Sequence, residues 1–248
     1  MGGRLARLGS EFFPNGSIPG WVQATSSVAG LQGFWLGGDF VNYGDGAEAA
    51  SAAPDQILPL VTSQTEVNIT NINTGSITVS IRLFGNDGIE LASAITRTIA
   101  GRGAFQEQVS ALLPAVNLSQ AGYIRLTSTG ASAATSVVSG FLASPSWAVI
   151  NGIDASSRAT ELDFPQASSG QTGGFNFVTA VAVTNLIATP QNVTITFTPE
   201  TGGGETSVQR LLPGGGSIQE TAQTLFGFFR RISKRMDTGE KFRVGCRF

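Results

Sequence analysis

Asp39, Asp45 and Glu48 fall within ten residues of one another, in a glycine-rich stretch that also holds Asn42 and Tyr43. Carboxylates spaced this closely in a loop can ligate Ca2+ or Mg2+. They can also work as a paired acid and base on a scissile bond. These three residues are therefore both the catalytic candidates and the metal-ligand candidates of the chain. Their spacing departs from the calcium-loop pattern, and clusters of Asp, Asn and Gly also build ordinary turns. None of the 248 residues is histidine, which removes the Ser-His-Asp triad, the Cys-His pair and every His-ligated metal site. A hydrolase built on this chain would rest on carboxylates, with or without a divalent cation.

Other stretches carry a chemical signature that their context weakens. Asp237-Thr238-Gly239 matches the aspartic-protease tripeptide, but Asp45-Gly46 and Asp87-Gly88 lack the middle residue that a second lobe requires. Gly202-Gly203-Gly204 and Gly214-Gly215-Gly216 lack the Lys-Ser/Thr that follows a phosphate-binding loop, and read as hairpin turns. Asn68-Ile69-Thr70, Asn117-Leu118-Ser119 and Asn192-Val193-Thr194 fit the glycosylation triplet. Trp21, Trp35 and Trp147 could line a carbohydrate-binding face, although core or hairpin packing is the commoner use of such residues.

The elements that position these residues recur. Thr65–Asn71 and Ile77–Phe84 return as Thr179–Asn185 and Val193–Thr198, with Val67/Val181, Asn71/Asn185 and Val79/Val193 all 114 residues apart. Alternating strands at a fixed offset mark a duplicated β module. Gly20-Trp21-Val22-Gln23-Ala24-Thr25-Ser26-Ser27 likewise matches Gly122-Tyr123-Ile124-Arg125-Leu126-Thr127-Ser128-Thr129. In that strand pair Val22, Ala24, Ile124 and Leu126 are expected to face inward, with Gln23 and Arg125 toward water.

Further strands are expected at Gly33–Leu36 and Gly140–Leu142, with a turn-rich connection over Gly37–Glu48. Edge strands are expected at Ile57-Leu58-Pro59 and Asp163-Phe164-Pro165, where proline is tolerated. Asn86-Asp87-Gly88 is a hairpin turn, and Thr201–Gly204 holds its place in the second copy. Return strands near Glu90–Thr98 and Thr206–Leu212, turns at Gly101–Gly103 and Gly214–Gly216, and short helical turns at Val109–Leu113 and Ala222–Phe226 complete each copy. The expected fold is all-β: two tandem antiparallel β-sandwich modules of about 110 residues, immunoglobulin-like, with irregular or foreign termini. The bounds are 1–11 for a leader, 12–118 and 119–227 for the modules, and 228–248 for a basic tail. One larger sandwich with strands shared between copies is the structural alternative.

Gly20-Trp21-Val22…Thr25-Ser26-Ser27, Gly33-Phe34-Trp35-Leu36…Gly38-Asp39 and Leu211-Leu212-Pro213 resemble the packing and turn residues of tandem β-sandwich repeats in secreted or surface bacterial proteins. The likeness covers most of residues 12–226. It implies a structural or adhesive part and carries no catalytic residue across.

Composition agrees with that class. Apolar residues make up 41%, enough for a core, while charged residues are only 13%, which suits a neutral polar surface. A net charge of −2 creates no strong field for nucleic acid or anionic lipid. The single cysteine, Cys246, excludes an internal disulfide, and no run reaches the 18 or so apolar residues of a membrane-spanning helix. Residues 1–8 have no secretion-signal pattern, and Gly9-Ser10-Glu11-Phe12 reads as adjacent cloning sites.

After Phe226 the pattern stops. Both lysines, Lys234 and Lys241, lie beyond it, and residues 230–247 carry seven Lys/Arg against Asp237 and Glu240. Phe228, Phe229, Ile232 and Met236 interleave there with Arg230, Arg231, Lys234 and Arg235, as in a basic amphipathic helix. The change in residue usage reads as a segment not evolved with the modules. The expectation is a non-catalytic structural or adhesive fragment of an extracellular repeat protein. The alternatives are a histidine-free ester or phosphoester hydrolase recovered as a fragment, and a carbohydrate-binding module. If the Gly-aromatic strand closes the module before it, the last copy lacks its closing strand, and homo-oligomers by edge-strand exchange of residues 12–28 follow. Other surface proteins or carbohydrate are the further partners expected; specific nucleic acid is not.

Overall fold

The computed structural model describes residues 11, 20–29, 31–38, 44–140, 147–164, 167, 169–172, 175–199 and 204–227. The chain divides into two units, Met1–Leu31 and Gln32–Phe248. In the first, residues 20–26 carry no regular structure and 27–29 form a bend. Val22 is 72% exposed. The strand expected over Gly20–Ser27 is therefore not formed. A strand exists only where a neighbour satisfies its backbone groups, and alternation alone supplies no neighbour.

The second unit is mostly β with several antiparallel sheets. Its strands run in order: β1 (Phe34–Gly38), β2 (Gly44–Glu48), β3 (Ala53–Leu58), β4 (Glu66–Asn71), β5 (Ile77–Gly85), β6 (Ile95–Ile99) and β7 (Ala104–Gln108). Helix α1 (Val109–Leu112) and a 3-10 turn at Leu118–Gln120 precede the long strand β8 (Ala121–Ser139). Then come β9 (Trp147–Asn151), β10 (Ile153–Asp154), β11 (Ser169–Thr172), β12 (Phe175–Val178), β13 (Ala180–Thr184), β14 (Gln191–Phe197), β15 (Thr206–Leu212), β16 (Ser217–Thr221) and helix α2 (Ala222–Phe226).

β8 holds the first copy together. Its first half pairs with β3 (Leu126 opposite Gln56) and with β5 (Leu126 opposite Ile81). Its second half pairs with β4 (Ala134 opposite Ile69) and β9 (Val137 opposite Val149). β5 continues to β6 and β4 to β7. Even-numbered side chains of β8 point inward along both halves: Ile124, Leu126, Ala134, Ser136 and Val138 are all buried to within 1%. The two ladders close over one core with Leu58, Val67, Ile69, Val79, Ile81 and Leu83. Fully burying a side chain of this size contributes about 1.5–3 kcal/mol.

Polar groups inside this copy are clamped. Asn71, 0% exposed, donates from Nδ2 to the carbonyls of Gly75 (2.8 Å), Ile99 (3.1 Å) and Ala100 (2.9 Å). Gln56, 1% exposed, donates to the Ser132 carbonyl at 2.7 Å. Arg125 pairs with Asp55 at 2.6 Å, and Arg97 with Glu107 at 3.5 Å, on the outer face.

The second copy repeats the geometry of β4–β7 residue for residue. β13 pairs with β16 (Ala180 opposite Thr221) as β4 does with β7 (Glu66 opposite Gln108). β14 pairs with β15 (Gln191 opposite Leu212) as β5 does with β6 (Ile77 opposite Ile99). Asn185 repeats the clamp of Asn71, donating to Thr189 O at 2.8 Å and Pro213 O at 2.9 Å. Arg210 and Glu220 repeat the Arg97–Glu107 pair at 2.6 Å, and the Arg210 hydrogen bond holds the Glu220 carboxyl below its usual range. Asp163 and Phe164, expected to form an edge strand with Pro165, are not a strand. Their counterpart β3 is held by β8, and no strand equivalent to β8 lies beside the second copy among the described residues.

The copies meet turn against turn. Tyr123 donates from its hydroxyl to Gly215 O (3.0 Å), and Ser217 N donates to Asn86 O (3.0 Å). Leu186 packs with Ile57, Tyr123 and Phe84, whose ring stacks on Tyr123 at 5.0 Å. Gly88 has φ +83°, and a Cβ there would lie 2.5 Å from the Gly214 carbonyl oxygen. Gly88→Ala is expected to destabilise the protein by about 1–3 kcal/mol, through the left-handed backbone and the displaced turn together. An unchanged melting temperature would show that the turns do not dock in solution.

Candidate functional site

Of the three acidic candidates, Asp39 lies outside the described residues. Asp45 and Glu48 sit on β2, which pairs with β1 (Gly37 opposite Asp45, Phe34 opposite Glu48), so this part of the expected turn-rich connection is a hairpin strand. Three residues apart on a strand, their side chains leave on opposite faces. Asp45 Oδ2 accepts the Val149 amide at 2.8 Å, and the Glu48 carbonyl accepts Asn151 Nδ2 at 2.8 Å. Both contacts tie β2 to β9. Among the described residues no three of His, Cys, Asp and Glu are grouped as metal ligands.

The other motifs are placed as follows. Trp35 and Trp147 converge on Gly37, where a Cβ would lie 3.1 Å from the first ring and 3.2 Å from the second. Trp35 is 37% exposed. Gly214–Gly216 forms the docked turn described above. Asn117 and Asn192 are exposed and Asn68 is half-buried. Gly202, Gly203, Asp237-Thr238-Gly239 and the basic stretch from residue 228 onward lie outside the described residues.

A further opening lies elsewhere. A cleft of about 950 Å3 runs between β13 and β14, lined by Ala182, Val183, Val193, Ile195, Leu162 and Phe164 among others. In the first copy the corresponding space between β4 and β5 holds β8. β13 and β14 are each paired on one edge only, with β16 and β15. Their other edges carry backbone N–H and C=O groups without a ladder partner among the described residues. Val67/Val181 and Ile81/Ile195 are buried in both copies, and burial differs at three other positions. Ile69, Val79 and Leu83 are 0%, 0% and 1% exposed, whereas their counterparts Val183, Val193 and Phe197 are only half-buried. Thr184 Oγ1, on the cleft wall, is buried without a hydrogen-bond partner.

This slot has an apolar floor and rims that carry backbone polar groups. It suits a β-strand, which would gain main-chain hydrogen bonds on two edges and bury alternate side chains. No single residue reveals it. Comparison with protein-family models, with curated proteins and with solved structures finds no match to this chain.

Proposed function

We propose that the chain is a non-catalytic, structural or adhesive piece of an extracellular array of immunoglobulin-like β-sandwich repeats. The observation that carries this reading is the repeated internal geometry: one strand register, one buried-asparagine clamp and one Arg–Glu pair, present in both copies. Residues maintained in duplicate hold turns and strands, and the copies join through those same turns. A surface low in charge and rich in Ser, Thr and Gly accords with an extracellular role. The sheet faces and edges are the parts this reading offers to partners.

The purified chain is expected to show no turnover on an ester and phosphoester panel, with or without chelator. Turnover that survives purification and disappears in Asp45→Ala or Asp39→Ala would overturn this reading in favour of carboxylate-based hydrolysis.

A further inference from the structure

We infer that the slot between β13 and β14 is an acceptor site for residues 20–26 of a second copy of this chain, so that copies associate by donating a strand to one another. The inference rests on the repeat reading above and adds a partner and a register to it.

Two features of the molecule are complementary. Among the described residues the acceptor has the counterparts of β4, β5, β6 and β7 but no strand in the place of β8. The donor is a segment whose sequence matches that strand but which forms none: Gly20–Ser26 aligns with Gly122–Ser128, and Leu31-Gln32-Gly33-Phe34 aligns with Val138-Ser139-Gly140-Phe141. Between the matched parts β8 has five further residues, Thr129–Ala133, of which Ser132 and Ala133 already pair with β4, so the donor follows only the half of β8 that pairs with β5. The inward residues of β8 that are fully covered, Ile124 and Val138 (1% and 0%), correspond to Val22 and Leu31, which are 72% and 59% exposed. Donor and acceptor are therefore both missing what the other has.

The first copy supplies the register. Transferring Ser80 opposite Thr127 and Ile81 opposite Leu126 to the second copy puts Thr25 opposite Thr194 and Ala24 opposite Ile195. In this register Val22 and Ala24 enter the apolar floor, while Gln23 and Thr25 face water. β1 begins at Phe34 and keeps its pairing with β2, since the donated segment ends before it. The donor's backbone would satisfy the open edge of β14, which is the main-chain source of affinity in strand addition. Each chain has one donor and one acceptor, so the contact is head-to-tail and produces closed rings or open chains.

Full-length chains with Cys246→Ser as background test this. Thr25→Cys chains mixed with Thr194→Cys chains under mild oxidation are expected to give a covalent dimer on non-reducing gels. Thr25→Cys mixed with Ser80→Cys is the control and is expected to give none, because β8 already occupies that position. Light scattering of the unmodified chain should show concentration-dependent oligomers. Ala24→Arg, which places a charge on the apolar floor, should weaken association about tenfold or more, whereas Gln23→Arg should leave it unchanged. Absence of the mixed dimer with a monodisperse monomer at high concentration would overturn the inference. Equal cross-linking to Ser80→Cys would do the same. So would a disulfide found only within single chains of a Thr25→Cys/Thr194→Cys double variant, since each segment would then close its own molecule. None of these results bears on the hydrolysis panel, so failure of the exchange and failure of the non-catalytic reading are separately visible.

Discussion

Leu126→Ala is expected to cost about 2–5 kcal/mol, against the roughly 5–15 kcal/mol that holds an ordinary domain folded. Leu126 is 1% exposed and lies at the centre of the first copy, opposite Gln56 of β3 on one side and Ile81 of β5 on the other. Shortening it removes contacts with the core and leaves a cavity walled by paired backbone, which has little freedom to collapse. Arg125, one residue earlier, points outward, and its pair with Asp55 has side-chain exposures of 38% and 33%. An ion pair this open contributes within about 1 kcal/mol. Urea denaturation of Leu126→Ala and Arg125→Ala side by side should therefore shift the midpoint strongly in the first and slightly in the second. Equal shifts would mean that β8 does not present its even-numbered residues to the core.

Asn71→Ala should also be damaging, by about 1–3 kcal/mol, for a different reason. One amide group shares its two hydrogens among three carbonyls, while Asn71 Oδ1 accepts Asn73 N at 2.9 Å. Removing the side chain leaves the carbonyl of buried Ile99 without this donor and unties the turns at Gly75 and Ala100. Asn71→Asp should rescue nothing, because a carboxylate cannot donate and a buried charge is costlier still. Asn185→Ala removes the matching clamp in a looser setting: Asn185 is 7% exposed, its bond to Leu212 O is 3.5 Å, and it accepts Ile187 N at 3.2 Å. Its cost is expected to be smaller. Thermal melts of the two alanine variants check the order. A larger loss at Asn185 would show that the second copy is already closed over its core.

These expectations separate what was readable along the chain from what was not. The duplication, the Asn71/Asn185 correspondence and the strand pairs around it were legible because alternation and turn chemistry are local properties. Val79, Ile81 and Leu83 alternate with Thr78, Ser80 and Arg82, and the burial of β5 follows that pattern. Asp45 and Glu48 were misplaced in a turn because their glycine-rich surroundings imitate one; the hairpin with Phe34–Gly38 makes them strand residues. Nothing in the composition of that stretch distinguishes the two cases.

Strand identity at the ends of the copies was a tertiary matter throughout. Gly20–Ser27 and Gly122–Thr129 are near copies, yet one is exposed coil and the other part of a 19-residue strand. Residues 163–164 and 57–58 also correspond, and only the second pair is strand. The sequence by itself determined which side chains can face a core, because a period of two needs no partner to be written. The tertiary structure decided which segments become strands, because backbone hydrogen bonds and apolar burial both require a neighbour. β8 has four of them.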